Sequence, residues 1–166
     1  MFARRGPATK PPAQGDRWVL VVDDDSAFLS LVHDALVAEG YDVVTASSGP
    51  IALDLLWSVG DDQPTLIVLD LDLPELDGRR IARLYRRIPV PHAPLLICSG
   101  AADAALEAER TGALGLLPKP FDLDDLLAFV AGVAEEAAAV HHYDGGDRSG
   151  RRGRGRGSGE PGGRVA

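Results

Sequence analysis

The sequence predicts an α/β domain: a five-stranded parallel sheet with a helix following each strand. Three observations carry this. Strand-length apolar runs recur along the chain, WVLVVD at 18–23, TLIVLD at 65–70, PLLICS at 94–99 and ALGLL at 113–117. Runs that do not alternate with polar residues suit strands buried on both faces. Between them lie segments with apolar residues at helical spacing, and glycines stand where those helices must stop. Strands alternating with helices imply a parallel sheet covered on both sides, with right-handed crossovers.

Each element has its own signal. After the first run, Phe28, Leu31, Val32, Ala35 and Leu36 recur with helical period, and Gly40 ends the helix. Tyr41–Thr45 reads as a short strand, and Ile51–Trp57 as a helix closed by Gly60. Ile81, Leu84, Tyr85 and Ile88 mark a third helix whose other face carries Arg79, Arg80, Arg83, Arg86 and Arg87. That face reads as a solvated surface or, more sharply, as a docking surface for an acidic partner. A short Ala-rich helix runs to Arg110, with Gly112 as its stop. Asp122 is the expected N-cap of the last helix, where Leu123, Leu126, Leu127, Val130 and Val133 form the apolar stripe.

The chain has 166 residues, of which 45% are hydrophobic, enough for one domain with a core and some length to spare. Its single cysteine, Cys98, cannot form an internal disulfide, so a reducing, cytoplasmic setting is expected. The opening MFARRGPATKPPAQGD lacks the apolar stretch of a secretory signal. No apolar run approaches the roughly 20 residues of a membrane span. Residues 1–16 and the Gly/Arg-rich segment 141–166 are expected to be disordered, bracketing a folded unit at 17–140. The net charge of −8 conceals an asymmetry. Setting aside the ten basic and four acidic residues before Trp18 and from Asp144 onward leaves seven basic against 21 acidic residues in Trp18–Tyr143, a net −14. Such a unit should repel nucleic acid and attract cations, whereas the basic tails could do the opposite.

Ligands of open parallel sheets bind at the carboxyl ends of the strands. Here those ends carry Asp23-Asp24-Asp25, Asp70, Ser99 and Lys119. Carboxylates brought together repel unless a cation is present, and oxygen-only ligands with room for water suit Mg²⁺. With an ammonium and a small hydroxyl added, the set is the charge-neutralising half of a phosphoryl-transfer site. No glycine-rich phosphate loop is present, so a nucleotide donor is not expected. The residues by themselves leave the acceptor open.

VLVVDDD, LIVLDLDLPELDG, LLICSG and LLPKPF occur in the order and spacing of response-regulator receiver domains, and the resemblance covers Trp18 to Ala139. It implies a flavodoxin-like, doubly wound sheet of order 2-1-3-4-5 with five helices. It implies that Asp70 is the phosphoacceptor and that Asp23, Asp24, Asp70 and the backbone carbonyl of Asp72 hold Mg²⁺, Asp23 mainly through water. Ser99 and Lys119 would bind phosphoryl oxygens, and Lys119–Pro120 would be cis. The phosphoryl donor would be the phosphohistidine of a sensor kinase or phosphotransfer protein. Such a domain is a signalling switch, not an enzyme acting on other substrates. As no output domain follows, a single-domain regulator working on a downstream protein is expected, and homodimerisation through the fourth and fifth helices is open to it.

One position departs from the family. Three residues before Lys119, where receivers often carry Tyr or Phe that flips on activation, stands Leu116. That favours, among alternatives, an adaptor that keeps the fold without using phosphorylation. Another alternative is nucleic-acid binding through the Gly/Arg tail, which lacks interleaved aromatics. A metal-dependent phosphatase would use a similar rim but needs a lid, for which every connection is too short. The bland readings make Asp23 and Asp24 caps of the following helix, Lys119 a solvated loop charge and Cys98 an inert core thiol.

Overall fold

The computed structural model describes residues 17–144, with side chains through 139. Ten elements alternate along the chain: β1 (Trp18–Val22), α1 (Ser26–Ala38), β2 (Asp42–Ala46), α2 (Gly49–Ser58), β3 (Leu66–Leu69), α3 (Gly78–Tyr85), β4 (Leu95–Ser99), α4 (Ala104–Thr111), β5 (Gly115–Pro118) and α5 (Leu123–Asp144). The five strands are parallel and ordered β2-β1-β3-β4-β5, as the resemblance implied.

Successive strand residues point to opposite faces, so each continuous apolar run feeds two cores at once. Leu20, Val22, Ile67, Leu69, Leu95 and Ile97 face one side, against Leu56, Ile81 and Ala104 of α2, α3 and α4. Val19, Val21, Leu66, Val68, Leu96 and Cys98 face the other, against Leu29, Val32 and Leu36 of α1 and Leu126 and Val130 of α5. The apolar stripe of α1 therefore runs through Leu29; Leu31, counted in it from spacing, is 56% exposed. Spacing locates a face only to within about one residue of the 100° step, and docking on the sheet selects the side.

The three glycines expected to stop helices, Gly40, Gly60 and Gly112, all have positive φ. Helix α5 runs through His141 and Tyr143 to Asp144, so the boundary expected at 140 is passed. The Ala137–Ala139 run favours continued helix and the next glycine is Gly145. The rest of the expected tail, and residues 1–16, lie outside the described residues. Among the described residues, no helix is long and apolar enough to cross a membrane.

Candidate functional site

Strand register builds the site. Val22 of β1 pairs with Leu69 of β3, so the residues that follow each leave the sheet side by side. The Asp70 N–H donates to the Val22 carbonyl at 3.0 Å. This is where the chain order reverses across the sheet, the crevice open α/β sheets use for ligands. Asp23 and Asp70 are 2% and 6% exposed, and Asp24 is exposed beside them. One carboxylate oxygen from each lies within 4.8 Å of the other two.

Burial is the main reason that Asp70 has a pKa above the ordinary carboxylate value, with the charges of Asp23 and Asp72 adding to the rise. Opposing it are the Asp72 N–H, which donates to Asp70 Oδ1 at 3.3 Å, and the positive charge of Lys119. A buried carboxyl of this kind gains from any cation that replaces its lost hydration.

Lys119 comes from the far side of the sheet, just past β5. Its N–H donates to the Ser99 carbonyl at 3.0 Å, continuing the β4–β5 ladder, and its bond to Pro120 is cis. The ammonium stands 2.6 Å from Asp23 Oδ2 and 3.6 Å from Asp70 Oδ2. Burial alone would lower its pKa, but the hydrogen bond to Asp23 and the charges of Asp23 and Asp70 outweigh it and hold the pKa above the ordinary value. The nitrogen lies 4.7 Å from the centre of the Phe28 ring, which meets Phe121 edge-on. That aromatic floor favours a cation and restricts the stem.

Ser99, at the end of β4, donates to Asp72 Oδ2 at 3.2 Å and accepts from the Ala101 N–H at 3.1 Å. The resemblance gave the Asp72 backbone a role toward the metal; its carboxylate also takes the Ser99 hydroxyl. The alternating LDLD pattern was the available signal, because it buries Leu71 and Leu73 and turns Asp72 outward. The segment from Asp70 to Gly78 folds back on itself, with Glu75 at φ +65° and the Gly78 N–H donating to the Leu71 carbonyl at 2.9 Å. A β-carbon on Gly78 would run into the Asp70 carbonyl oxygen, so only glycine allows α3 to start this close to Asp70.

The Asp23-Asp24-Asp25 run divides its labour. Asp25 is the N-cap of α1, accepting from the N–H groups of Ala27 and Phe28, and Asp23 Oδ1 accepts from the Asp25 N–H at 2.9 Å. Capping thus falls to Asp25, and Asp23 and Asp24 are left to the cluster. Leu116 is half-buried in β5 against the α2–α4 side of the core and offers no hydroxyl. Cys98 is buried in β4, where burial pushes its thiol up to about 12, so it stays protonated at neutral pH.

The site thus brings together Asp23, Asp24, Asp70, Ser99 and Lys119 from four separate stretches. Its all-oxygen anionic donors, one of them open to solvent, fit a hard divalent cation such as Mg²⁺ that retains waters.

The response regulator MprA of Mycolicibacterium vanbaalenii is 40% identical over 113 residues, 66% of this chain and 47% of its own length. The response regulator protein FleR of Pseudomonas aeruginosa is 36% identical over 115 residues, 68% of this chain and 24% of its own. The chain therefore spans about half or less of these curated relatives. Among solved structures, the receiver domain of Francisella response regulator 1452 superposes with a TM-score of 0.66 at 27% identity, covering 74% of this chain and 99% of that one. The response regulator TrrA of Thermotoga maritima, solved in complex with Mg²⁺-BeF, gives 0.60 at 26% identity, covering 70% and 98%. Residues 19–131 match the response regulator receiver domain, and the chain belongs to that family.

Proposed function

We propose that this protein takes a phosphoryl group onto Asp70 from the phosphohistidine of a sensor kinase or phosphotransfer protein. The observation that carries this reading is the placement of the Lys119 ammonium 3.6 Å from Asp70 Oδ2 within the three-carboxylate cluster. An Asp70 carboxylate oxygen attacks phosphorus, the P–N bond to histidine breaks, and an acyl phosphate forms. Lys119 neutralises one phosphoryl oxygen and the Ser99 hydroxyl turns to donate to another. Asp23, Asp24, Asp70 and the Asp72 backbone carbonyl would hold Mg²⁺, which when bound supplies the remaining positive charge for those oxygens. The protein acts on its own Asp70 and not on an external substrate.

Output is by protein contact. Supporting this, the α4–β5 side of the molecule carries two exposed large apolar side chains, Leu106 at 47% and Leu114 at 54%. Phosphorylation shifts the population of a surface that Ser99, at the end of β4, is placed to bias.

The test is incubation with acetyl phosphate and Mg²⁺ followed by intact-mass measurement. A gain of about 80 Da, one phosphoryl group, is expected in the wild type and absent in Asp70→Asn or without Mg²⁺. An equal gain in Asp70→Asn would overturn the assignment.

A further inference from the structure

We propose that the cleft between α3 and α4 binds a small anion carrying two phosphate groups. The cleft lies on the sheet face opposite α1 and α5, has a volume of about 310 Å³, and is lined by Ala82, Arg83, Arg86, Arg87, Arg110 and Thr111. That volume is at the lower end of small-molecule sites.

Charge distribution makes the cleft exceptional within Trp18–Tyr143. Of the seven basic residues in Trp18–Tyr143, six lie at 79–87 or at 110, and the seventh is Lys119 of the Asp70 site. The same span carries 21 acidic residues. Arg83 lies in the last turn of α3 and Arg87 in the turn just beyond it, where the Arg87 N–H donates to the Leu84 carbonyl.

Cations at helix C-termini often do no more than offset the helix dipole, and Arg86 and Arg110 have such duties. Arg86 donates to the Gly112 carbonyl at 3.0 Å, and Arg110 pairs with the buried Glu107 at 2.9 Å. Arg83 and Arg87 are different: among the described residues, their side chains make no hydrogen bond or ion pair. Two guanidiniums are therefore already fixed by the fold, and two more are free to close on a ligand.

The ligand class follows from charge and donor geometry. Four guanidiniums less one Glu107 carboxylate leave a surplus of about three positive charges, and one phosphate group carries about −1.5 to −2 at neutral pH. Two phosphate groups match the surplus, and planar guanidiniums grip phosphate oxygens in pairs. A cleft, as opposed to a flat stripe, favours a compact polyanion over an acidic peptide.

The experiment is calorimetric titration of the full chain with inorganic pyrophosphate, orthophosphate and hexaglutamate at physiological salt and without Mg²⁺, so that the Asp70 site does not contribute. Pyrophosphate is expected to bind about tenfold or more tighter than either competitor. Arg83→Ala/Arg87→Ala should weaken it by about tenfold or more, while Arg80→Ala, outside the cleft, leaves it unchanged. Arg83→Lys/Arg87→Lys should fall between, since lysine keeps charge but not the paired donors; it also carries the test if the alanine pair does not fold. Equal binding of orthophosphate, hexaglutamate binding as tight as pyrophosphate, or pyrophosphate binding that survives the alanine pair through the tail arginines would each overturn the proposal.

Discussion

The Ser99 hydroxyl donates to the carboxylate of Asp72, two residues beyond Asp70, at 3.2 Å. Asp72 thereby occupies the hydroxyl that, under the proposed function, a phosphoryl group on Asp70 would need, and it would place a further negative charge beside the entrance for an anionic donor.

Asp72→Ala should therefore speed modification by acetyl phosphate about two- to fivefold, the effect of removing one nearby charge in a wet setting. It should cost about 1 kcal/mol of stability for the lost charge-assisted bond. Asp72→Asn, which keeps an acceptor for Ser99, separates the contributions: an acceleration equal to that of alanine assigns the effect to charge. Slower uptake in both variants would show that Asp72 assists the transfer.

Stability should depend on pH and Mg²⁺ through Asp70. Its pKa in the folded protein is raised, chiefly by burial, above 3.8. As pH climbs from that value to the higher folded one, the unfolded chain releases its proton first, so stability is lost across that window. Asp70→Asn should accordingly melt at a higher temperature than wild type at pH 7 without Mg²⁺. Added Mg²⁺ should raise the wild-type melting temperature at pH 7, with the gain fading as pH falls into the carboxylate range. Lys119 follows the same sign at a higher pH. Its raised pKa means that its stabilisation persists through neutral pH and is lost only above 10.5. Thermal melts across pH, with and without the metal, check all three statements.

Gly78→Ala should destabilise the fold by about 3 kcal/mol, because the new β-carbon meets backbone at Asp70 and Leu71 and not a side chain that can turn away. Phosphoryl uptake should drop in the same variant, since the backbone that must yield carries the acceptor. Chemical denaturation and intact mass measure the two effects. A variant with wild-type stability would show that α3 can shift without cost.

The three consecutive aspartates should separate cleanly on mutation. Asp25→Ala removes the cap of α1 and should cost about 1 kcal/mol while leaving Mg²⁺-dependent modification of Asp70 intact. Asp24→Asn, exposed and outside the cap, should leave stability within about 0.5 kcal/mol yet weaken the Mg²⁺ dependence severely. Identical phenotypes would sink the division of labour.

Much of this molecule was legible before any coordinates. Four apolar runs marked β1, β3, β4 and β5, and the first three of these strands are buried on both faces, with no solvent side on which to place a polar residue. Glycines fixed helix ends because a left-handed residue is cheap only for glycine, as at Gly112. The site residues were legible because they sit at strand ends, where chemistry-bearing side chains interrupt otherwise apolar sequence. Less legible was anything depending on which of two adjacent residues turns inward. Spacing admitted Leu31 to the α1 stripe, whereas docking chose Leu29. A triple aspartate gave no hint that Asp25 would take the cap.

What the sequence alone determined is thus the order and kind of elements and the chemical inventory of the rim, since both follow from local periodicity and residue type. Tertiary structure decided the pairings. The Val22–Leu69 register sets Asp23 beside Asp70, the Ser99 hydroxyl finds Asp72, and four arginines from two helices meet in one cleft. Such contacts join residues far apart in the chain, and their geometry is set by strand register and helix docking, which no local pattern encodes.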